Sequence, residues 1–529
     1  MAVVSEIYCM LRLFFKESDS RLATMLWFDV TDLQRWHLPH LTGIQRSVVG
    51  VLSELLRQRD DVALFAFDEA TGRLQEAAVE SLPKIVRRNL EALRRADSDP
   101  AISVESYPPP FWQVRGAATS PPPPSDTPTQ APSPSLATRL RWRLGRFLTR
   151  TIGVEATDAL RDFVKSGLRL LRVATRKFRF LASRIDRRAA EVVNNPAIIF
   201  DSVSDRSIVF HSGDVCLSLS ASWGIHRYGQ VIAENKERYH FKCISMIYDL
   251  IPTLYPQWLT EAASHVVTLW ARQQIRNADV ILTISKFQKM EIAKYIRDEK
   301  LPSPPIEVIR LGDNPIFFGS GKADHALPLP RYVPERKFTM FVSTLDVRKN
   351  QAILYQVWRR LAEDLGDQCP QLLLIGTPHL HVADLLYQMR HDRLTNRLIV
   401  VLTGITDEEL AWYYKNCEFT LYPSVYEGWG LPISESLAVG KYCIAGNKTS
   451  LPEAGGDFVD YFDPLDVPGC YRLVRRAIED PDYVKMRETN IRENYKPYTW
   501  KMTAQSVSEI VDECISAEID KTSAPISPE

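Results

Sequence analysis

No apolar run in these 529 residues is long enough to cross a bilayer, so a spanning helix is not expected. The apolar patches near the start are broken by Arg12, Lys16, Glu17, Asp19 and Arg21, and the acids among them argue against a secretion signal. Net charge is also missing: 65 Lys and Arg balance 65 Asp and Glu, so nothing global favours nucleic acid, and any electrostatic argument must be local. The eight cysteines are scattered, with no Cys-x-x-Cys pair and no His/Cys cluster, which argues against a zinc site or disulfide framework and suits a reducing cytosol. No Asp-x-Asp pair stands at a strand end. The composition, 45% hydrophobic and 25% charged, is that of a globular protein with two or more domains.

The patterning divides into two α/β blocks. Residues 1–24 read as a leader or a misassigned start, because the first convincing strand, Leu26–Val30, follows an internal methionine. The first block, 25–315, opens with that strand, Thr42-Gly-Ile-Gln-Arg46, a helical run over Val48–Arg57 and a strand over Val62–Phe67, which is a βαβ unit. It resumes with strands at Ile198–Phe200, Ser207–Phe210, Cys243–Asp249 and Val280–Ile284, as in a doubly wound sheet. The proline-bearing stretch Leu301–Pro334 reads as a connection, with the linker proper at 316–334. A second block, 335–490, has strands at Thr339–Thr344, Leu372–Ile375, Leu398–Leu402, Phe419–Tyr422, Tyr442–Ala445 and Phe458–Tyr461. Helices at Ala352–Asp364, Val382–Arg390, Asp407–Lys415 and Val467–Ile478 alternate with them, which implies a mostly parallel sheet. The segment 491–529 carries a terminal helix over Thr499–Ile515 and a tail.

The most informative stretch is Tyr422-Pro-Ser-Val-Tyr-Glu-Gly-Trp-Gly-Leu-Pro-Ile-Ser-Glu435. Two carboxylates flank a glycine-bearing loop between a buried strand and a helix that ends at Gly440. The loop therefore faces a helix N-terminus, whose free N–H groups and dipole attract a diphosphate. Gly428 and Gly430 let a ligand approach the main chain, and Glu427 and Glu435 have the paired oxygens that accept from the vicinal diols of a nucleotide sugar. A second cluster follows the first strand of this block in Phe341-Val-Ser-Thr-Leu-Asp-Val-Arg-Lys-Asn350. There Arg348 and Lys349 stand where a parallel sheet binds ligands and where cations meet leaving-group charge.

The stretch Glu427 to Glu435 resembles the E-x7-E signature of the retaining family 4 glycosyltransferases, of GT-B fold. Thr406-Asp-Glu-Glu-Leu410, Ala438-Val-Gly440, Ser450-Leu-Pro-Glu-Ala454 and Asp463-Pro-Leu-Asp466 extend the likeness. The resemblance, nearest to a bacterial mannosyltransferase-like subgroup, implies two doubly wound Rossmann-like domains facing each other across a cleft. It also implies retaining hexosyl transfer, mannose favoured, from a nucleotide sugar to a saccharide or lipid-linked saccharide in cell-envelope polysaccharide synthesis. In those terms Glu427 orients the donor hexose and Glu435 the ribose, with Gly428, Trp429, Gly430, Leu431, Ser343 and Gly43 around the donor. Arg348 and Lys349 meet the diphosphate, no cofactor is needed and no metal is bound. GDP-mannose is favoured over a UDP-hexose. Ser343 replaces a usual glycine. Tyr248 replaces the usual histidine of a strand-end His-Asp motif, which leaves Asp249 as the polar residue at the cleft. Arg46, Tyr248, His211 and Asp214 are candidate acceptor contacts, a structural turn being equally open for His211-Ser-Gly-Asp214. Alanine at either signature glutamate is expected to remove a ligand contact and leave the fold intact. A GT-B sugar-nucleotide epimerase and a catalytically lapsed binding scaffold are the alternatives.

The insertion at 101–195 departs most from a minimal two-domain transferase. Its proline-rich tract, Tyr107–Pro134, cannot build a packed core. Between Leu136 and Ala189, fifteen Lys or Arg face four Asp or Glu, a net of +11, interleaved with Trp142, Phe147, Leu171 and Phe178. A basic amphipathic stretch of this kind suits an anionic membrane surface; a packed basic helix is the plainer reading, and no nucleic-acid motif accompanies the charge. A cytoplasmic enzyme peripheral on the inner face of the membrane is the expectation.

Overall fold

The computed structural model describes residues 24–37, 41–96, 208–313 and 328–523. The leader, the insertion at 101–195, the strand expected at Ile198–Phe200 and most of the linker lie outside them. Thirteen strands form two sheets among the described residues. The first contains β1 (Leu26–Asp29), β2 (Val62–Asp68), β3 (Arg73–Ala77), β4 (Val215–Ser218), β5 (Lys242–Met246), β6 (Val280–Thr283) and β7 (Ile306–Val308) in the order β3-β2-β1-β4-β5-β6-β7. Every pair is parallel except β2–β3. The second contains β8 (Phe338–Val342), β9 (Gln371–Ile375), β10 (Ile399–Leu402), β11 (Thr420–Tyr422), β12 (Cys443–Gly446) and β13 (Asp460–Phe462), ordered β10-β9-β8-β11-β12-β13 and wholly parallel.

Both orders reverse direction once, between β1 and β4 and between β8 and β11. Loops leaving the two strands at such a point diverge and open a crevice at their C-terminal ends, which is where ligands of doubly wound sheets bind. Central strands here are buried on both faces, as LWFD in β1 and QLLLI in β9 show, and this is why they read as short apolar runs. This is the two-domain α/β architecture that the GT-B resemblance implied. No helix among the described residues is long and apolar enough to cross a membrane.

Several elements differ from expectation. Residues 208–210 form no strand; Ile208 N–H reaches only the Leu74 carbonyl, 3.3 Å away. The strand of this region is β4, Val-Cys-Leu-Ser, which begins just after Asp214. Strand β7 lies within the stretch read as a connection, because its three residues are too few to show a period. The edge strand β3, Arg-Leu-Gln-Glu-Ala, is polar, as edge strands tend to be, and so reads as a loop. The helix expected from Val48 begins at Gly43, five residues before its apolar periodicity. A helix over Pro481–Asn494 puts Val484 and Ile491 into the second domain's core, so that domain runs past 490.

The last helix, Trp500–Ser523, leaves the second domain and packs on the first. Trp500, Ala504, Val507 and Val511 share a core with Leu26, Val48 and Leu52. Arg59 on the Gly43 helix donates to Ser508 Oγ at 2.8 Å and Asp512 Oδ1 at 2.6 Å. The Trp500 ring is wedged against Gly50 and Gly312: a Cβ at Gly50 would stand 2.5 Å from its Cδ2, and one at Gly312 2.6 Å from the same atom. In an uncontacted helix Gly→Ala stabilises by about 1 kcal/mol. Overpacking costs about 1–3 kcal/mol, so Gly50→Ala is expected to destabilise on balance. Denaturant titration checks the sign, and a raised midpoint would contradict the docking of Trp500.

Candidate active site

The two crevice loops of the second sheet meet over one buried carboxylate. After β8, Asp346 Oδ1 accepts from the Arg348 N–H at 2.9 Å and starts a short turn that presents Arg348 and Lys349. After β11, the signature loop brings Glu427 between them. Arg348 Nη1 donates to Glu427 Oε2 at 2.7 Å, and Lys349 Nζ donates to Oε1 at 2.5 Å. Tyr422 OH also donates to Oε1, at 3.1 Å, and Arg348 Nη1 reaches the Tyr426 carbonyl at 2.7 Å. Thr449 and Ser450 hold the loop's backbone, through Glu427 N–H at 3.0 Å and the Glu427 and Trp429 carbonyls at 2.9 and 2.8 Å.

Burial and charge oppose each other in this cluster, and charge wins at Glu427. Desolvation alone would raise its pKa, but Arg348 and Lys349 bring it down to about 2. Burial also weighs against the Arg348 charge, yet Glu427, Asp346 and Asp249 outweigh it and hold the guanidinium above its ordinary value. Lys349 goes the other way, because burial and the neighbouring Arg348 together exceed the pull of Glu427. Glu427 is 6% exposed and compensates the buried Lys349 and the partly buried Arg348. The expectation that alanine there leaves the fold intact is therefore corrected: stranding buried charge typically costs about 3–5 kcal/mol.

Glu435 lies in the second turn of the helix Leu431–Ala438, whose start follows Gly430 at φ +136°. That angle is open to glycine and strained for other residues, and no side chain caps the helix end. Glu435 Oε2 accepts from Tyr414 OH at 3.2 Å. Its Oε1 accepts from Arg46 Nη1 of the first domain at 3.4 Å, and Arg46 also reaches Asp407 at 3.3 Å. Burial raises the Glu435 pKa against the pull of Arg46. Gly43 starts the facing helix of the first domain, also without a side-chain cap; a Cβ there would be 3.5 Å from Leu431 Cδ1. Two open helix ends, Gly43 and Leu431, thus converge on one cleft. Ser343 follows β8, its N–H bonded to the Ile375 carbonyl at 3.0 Å.

Asp249 faces the cluster from the first domain. A Cβ on Gly428 would be 3.0 Å from the Tyr248 carbonyl and 3.3 Å from Asp249 Cβ, so the signature loop packs tightly on the segment after β5 at this glycine. Burial raises the Asp249 pKa, opposed chiefly by Arg348. Four candidates lie elsewhere than expected. Tyr248 turns its hydroxyl into the domain to donate to the Leu219 carbonyl at 2.9 Å, and burial pushes its pKa up. His211 and Asp214 precede β4 and so stand at the N-terminal end of the central strands, opposite the cleft. There Asp214 accepts from Met25 N–H at 2.9 Å, Trp27 Nε1 at 3.0 Å and His211 N–H at 2.9 Å, tying β1 to β4. Trp429 is 6% exposed, packed in the first domain's core beneath the Arg310 guanidinium, so its ring is an interdomain wedge and not a wall of the cleft. Tyr422, Tyr414 and Glu453 were not singled out from the sequence. Glu453 accepts from the N–H groups of Lys286 and Phe287 at 2.8 Å each, closing a first-domain helix from the second domain. Among the described residues no three His, Cys, Asp or Glu gather as a metal site.

Residues 331–496, which contain this cluster, match the family model described as glycosyl transferases group 1. This segment is a glycosyl transferases group 1 domain. The chain is 27% identical over 238 residues to O-antigen chain mannosyltransferase B of Escherichia coli, covering 45% of this chain and 61% of that protein. It is 24% identical over 268 residues to the serotype-specific mannosyltransferase WbdA of Escherichia coli, covering 50% and 32%. The matches thus span less than two thirds of either relative. Among solved structures, sucrose-phosphate synthase from Thermosynechococcus elongatus aligns over 57% of this chain and 74% of its own at 19% identity, with a TM-score of 0.44. The Glu427 cluster and the open start of the Leu431 helix both belong to the group 1 domain; Gly43, Arg46 and Asp249 come from outside it.

A depressed carboxylate stabilises the fold above its unfolded pKa and loses that contribution as pH falls through its folded one. For Glu427 the window runs from the ordinary 4.5 down to about 2. Glu427→Gln is expected to flatten the stability–pH profile across that window, and acid titration followed by circular dichroism checks this. An unchanged slope would show that the carboxylate is not ionised between Arg348 and Lys349.

Proposed function

We propose that this chain is a retaining glycosyltransferase that moves a hexose from a nucleotide sugar to a saccharide acceptor. The observation that carries the reading is the Glu427 carboxylate held by Arg348 and Lys349 within a group 1 domain, beside the open start of the Leu431 helix. Mannose is the favoured sugar, because the names of the relatives are those of mannosyltransferases. GDP-mannose is preferred over a UDP-hexose as donor, and a lipid-linked saccharide of envelope polysaccharide as acceptor.

In this reading the diphosphate lies between the two helix starts, where backbone N–H groups and both dipoles favour anionic oxygens. As the glycosidic bond to the diphosphate lengthens, negative charge gathers on the leaving oxygen. Arg348 and Lys349 offset it, and a divalent ion is then dispensable. Glu427 orients the hexose and Glu435 the ribose. The acceptor hydroxyl attacks from the face that the diphosphate leaves, and its proton passes to the departing phosphate, so no side-chain nucleophile is assigned. Asp249 marks the first-domain side of the reacting centre.

A panel of nucleotide sugars assayed for release of free nucleoside diphosphate tests the reading and identifies the donor. Glu427→Gln and Glu435→Gln are each expected to lower transfer about 100-fold or more, and chelator is expected to have little effect. Either variant within threefold of the unmutated chain, or activity lost in chelator and restored by manganese, contradicts the assignment.

The stretch 136–189 is proposed as a contact with anionic membrane that holds the enzyme on the inner face of the cytoplasmic membrane. The chain should then sediment with anionic vesicles, and less so as salt rises. Equal sedimentation of a chain lacking 136–189 counts against it.

A further inference from the structure

Thr406-Asp-Glu-Glu409 and Thr42-Gly-Ile-Gln45 both carry the Thr-x-x-Glu/Gln pattern by which a helix start closes on its own side chains. At Thr406-Asp-Glu-Glu409 the closure is made: Thr406 Oγ1 accepts from the Glu409 N–H at 3.2 Å, and Glu409 Oε2 accepts from the Thr406 N–H at 2.9 Å. At Thr42-Gly-Ile-Gln45 the same pattern starts the helix of the first domain. Thr42 has the extended backbone of a capping residue, with φ −85° and ψ 177°, yet no side chain caps this end.

Asp32 makes the difference. Its Oδ2 accepts from Gln45 Nε2 at 2.7 Å. An ionised carboxylate only accepts, so the NH2 end of the amide must face it, and the amide oxygen faces Thr42. The Thr42 hydroxyl donates to that oxygen, and its Oγ1 caps no N–H of the helix. Gln45 is 3% exposed, while Thr42 and Gly43 are exposed. A buried amide thus stands behind an open helix end, in the position where Glu409 closes the other.

We propose that Asp32 and Gln45 are positioning residues of the donor site, which divert Thr42 and keep the first N–H groups of the Gly43 helix available to a nucleoside diphosphate. This rests on the donor reading above. A side-chain cap competes with a ligand for the same donors, and caps of this kind are typically worth a factor of about 5 to 10. Without the amide, Thr42 rotates onto its helix and the competition appears.

Calorimetric titration of the full chain with UDP and GDP, together with thermal melts, tests this. Gln45→Leu is expected to weaken binding of the preferred nucleotide about fivefold or more, beyond any fall in Tm from leaving Asp32 without its donor. Thr42→Val in the same chain should restore affinity to within twofold, because it removes the competing hydroxyl. A purely structural role predicts a lower Tm and no rescue. If Gln45→Leu does not fold, Asp32→Ala is held to the same pattern, with the same rescue by Thr42→Val. Unchanged affinity in Gln45→Leu, or a double variant no better than the single one, overturns this inference alone. If the unmutated chain binds neither nucleotide, the donor reading falls and the inference falls with it.

Discussion

The cleft is organised around one carboxylate with two cations. Glu427 arrives from the loop after β11, and Arg348 and Lys349 from the loop after β8, the two strands at which the second sheet reverses its order. Loops at such a point would otherwise diverge. The ionic cluster draws them together, and the main-chain bond from Val425 N–H to the Arg348 carbonyl, 3.0 Å, adds a second tie. Burial makes each charge depend on the others, since an uncompensated ion there costs several kcal/mol. The cluster therefore sets loop geometry and cleft chemistry together.

The same loop is also where the domains meet. Gly428 lies against the segment after β5, Trp429 enters the first domain's core, and Gln288 of the first domain reaches Tyr426 OH at 3.3 Å. Arg46 to Glu435 and Glu453 to the Lys286 helix bridge the domains on either side. A residue in this segment thus answers to both domains, and this is why Trp429, whose neighbours suggested a ligand contact, turns out to serve packing.

Legibility in the sequence followed the physics of each signal. Runs such as Leu372–Ile375 are buried on both faces, so hydrophobicity alone reveals them; β3 and β7 are edge strands, one polar and one three residues long, and leave no such trace. Glu427, Glu435, Arg348 and Lys349 could be picked out as cleft candidates from motif and position. Their mutual pairing could not, because 78 residues separate Lys349 from Glu427 and only the fold brings them together. Asp214 misled for a related reason. An Asp beside Gly and Ser looks like a loop ligand wherever it stands, and only the direction of β4 puts it at the N-terminal end of the central strands, where it ties two of them. The insertion, the most distinctive part of the composition, lies outside the described residues.

The wedge of Trp500 between Gly50 and Gly312 bears on the order of events at the ribosome. Arg59 and Ser508, bonded beside it, are 449 residues apart in the chain. At about 5–20 residues per second, synthesis leaves the first domain waiting tens of seconds for the helix that completes its core. Through that interval the groove holding Gly50 and its apolar neighbours is open. The nascent first domain is thus an incomplete folding unit, and the chain's maturation is vectorial only up to the point where its last helix returns.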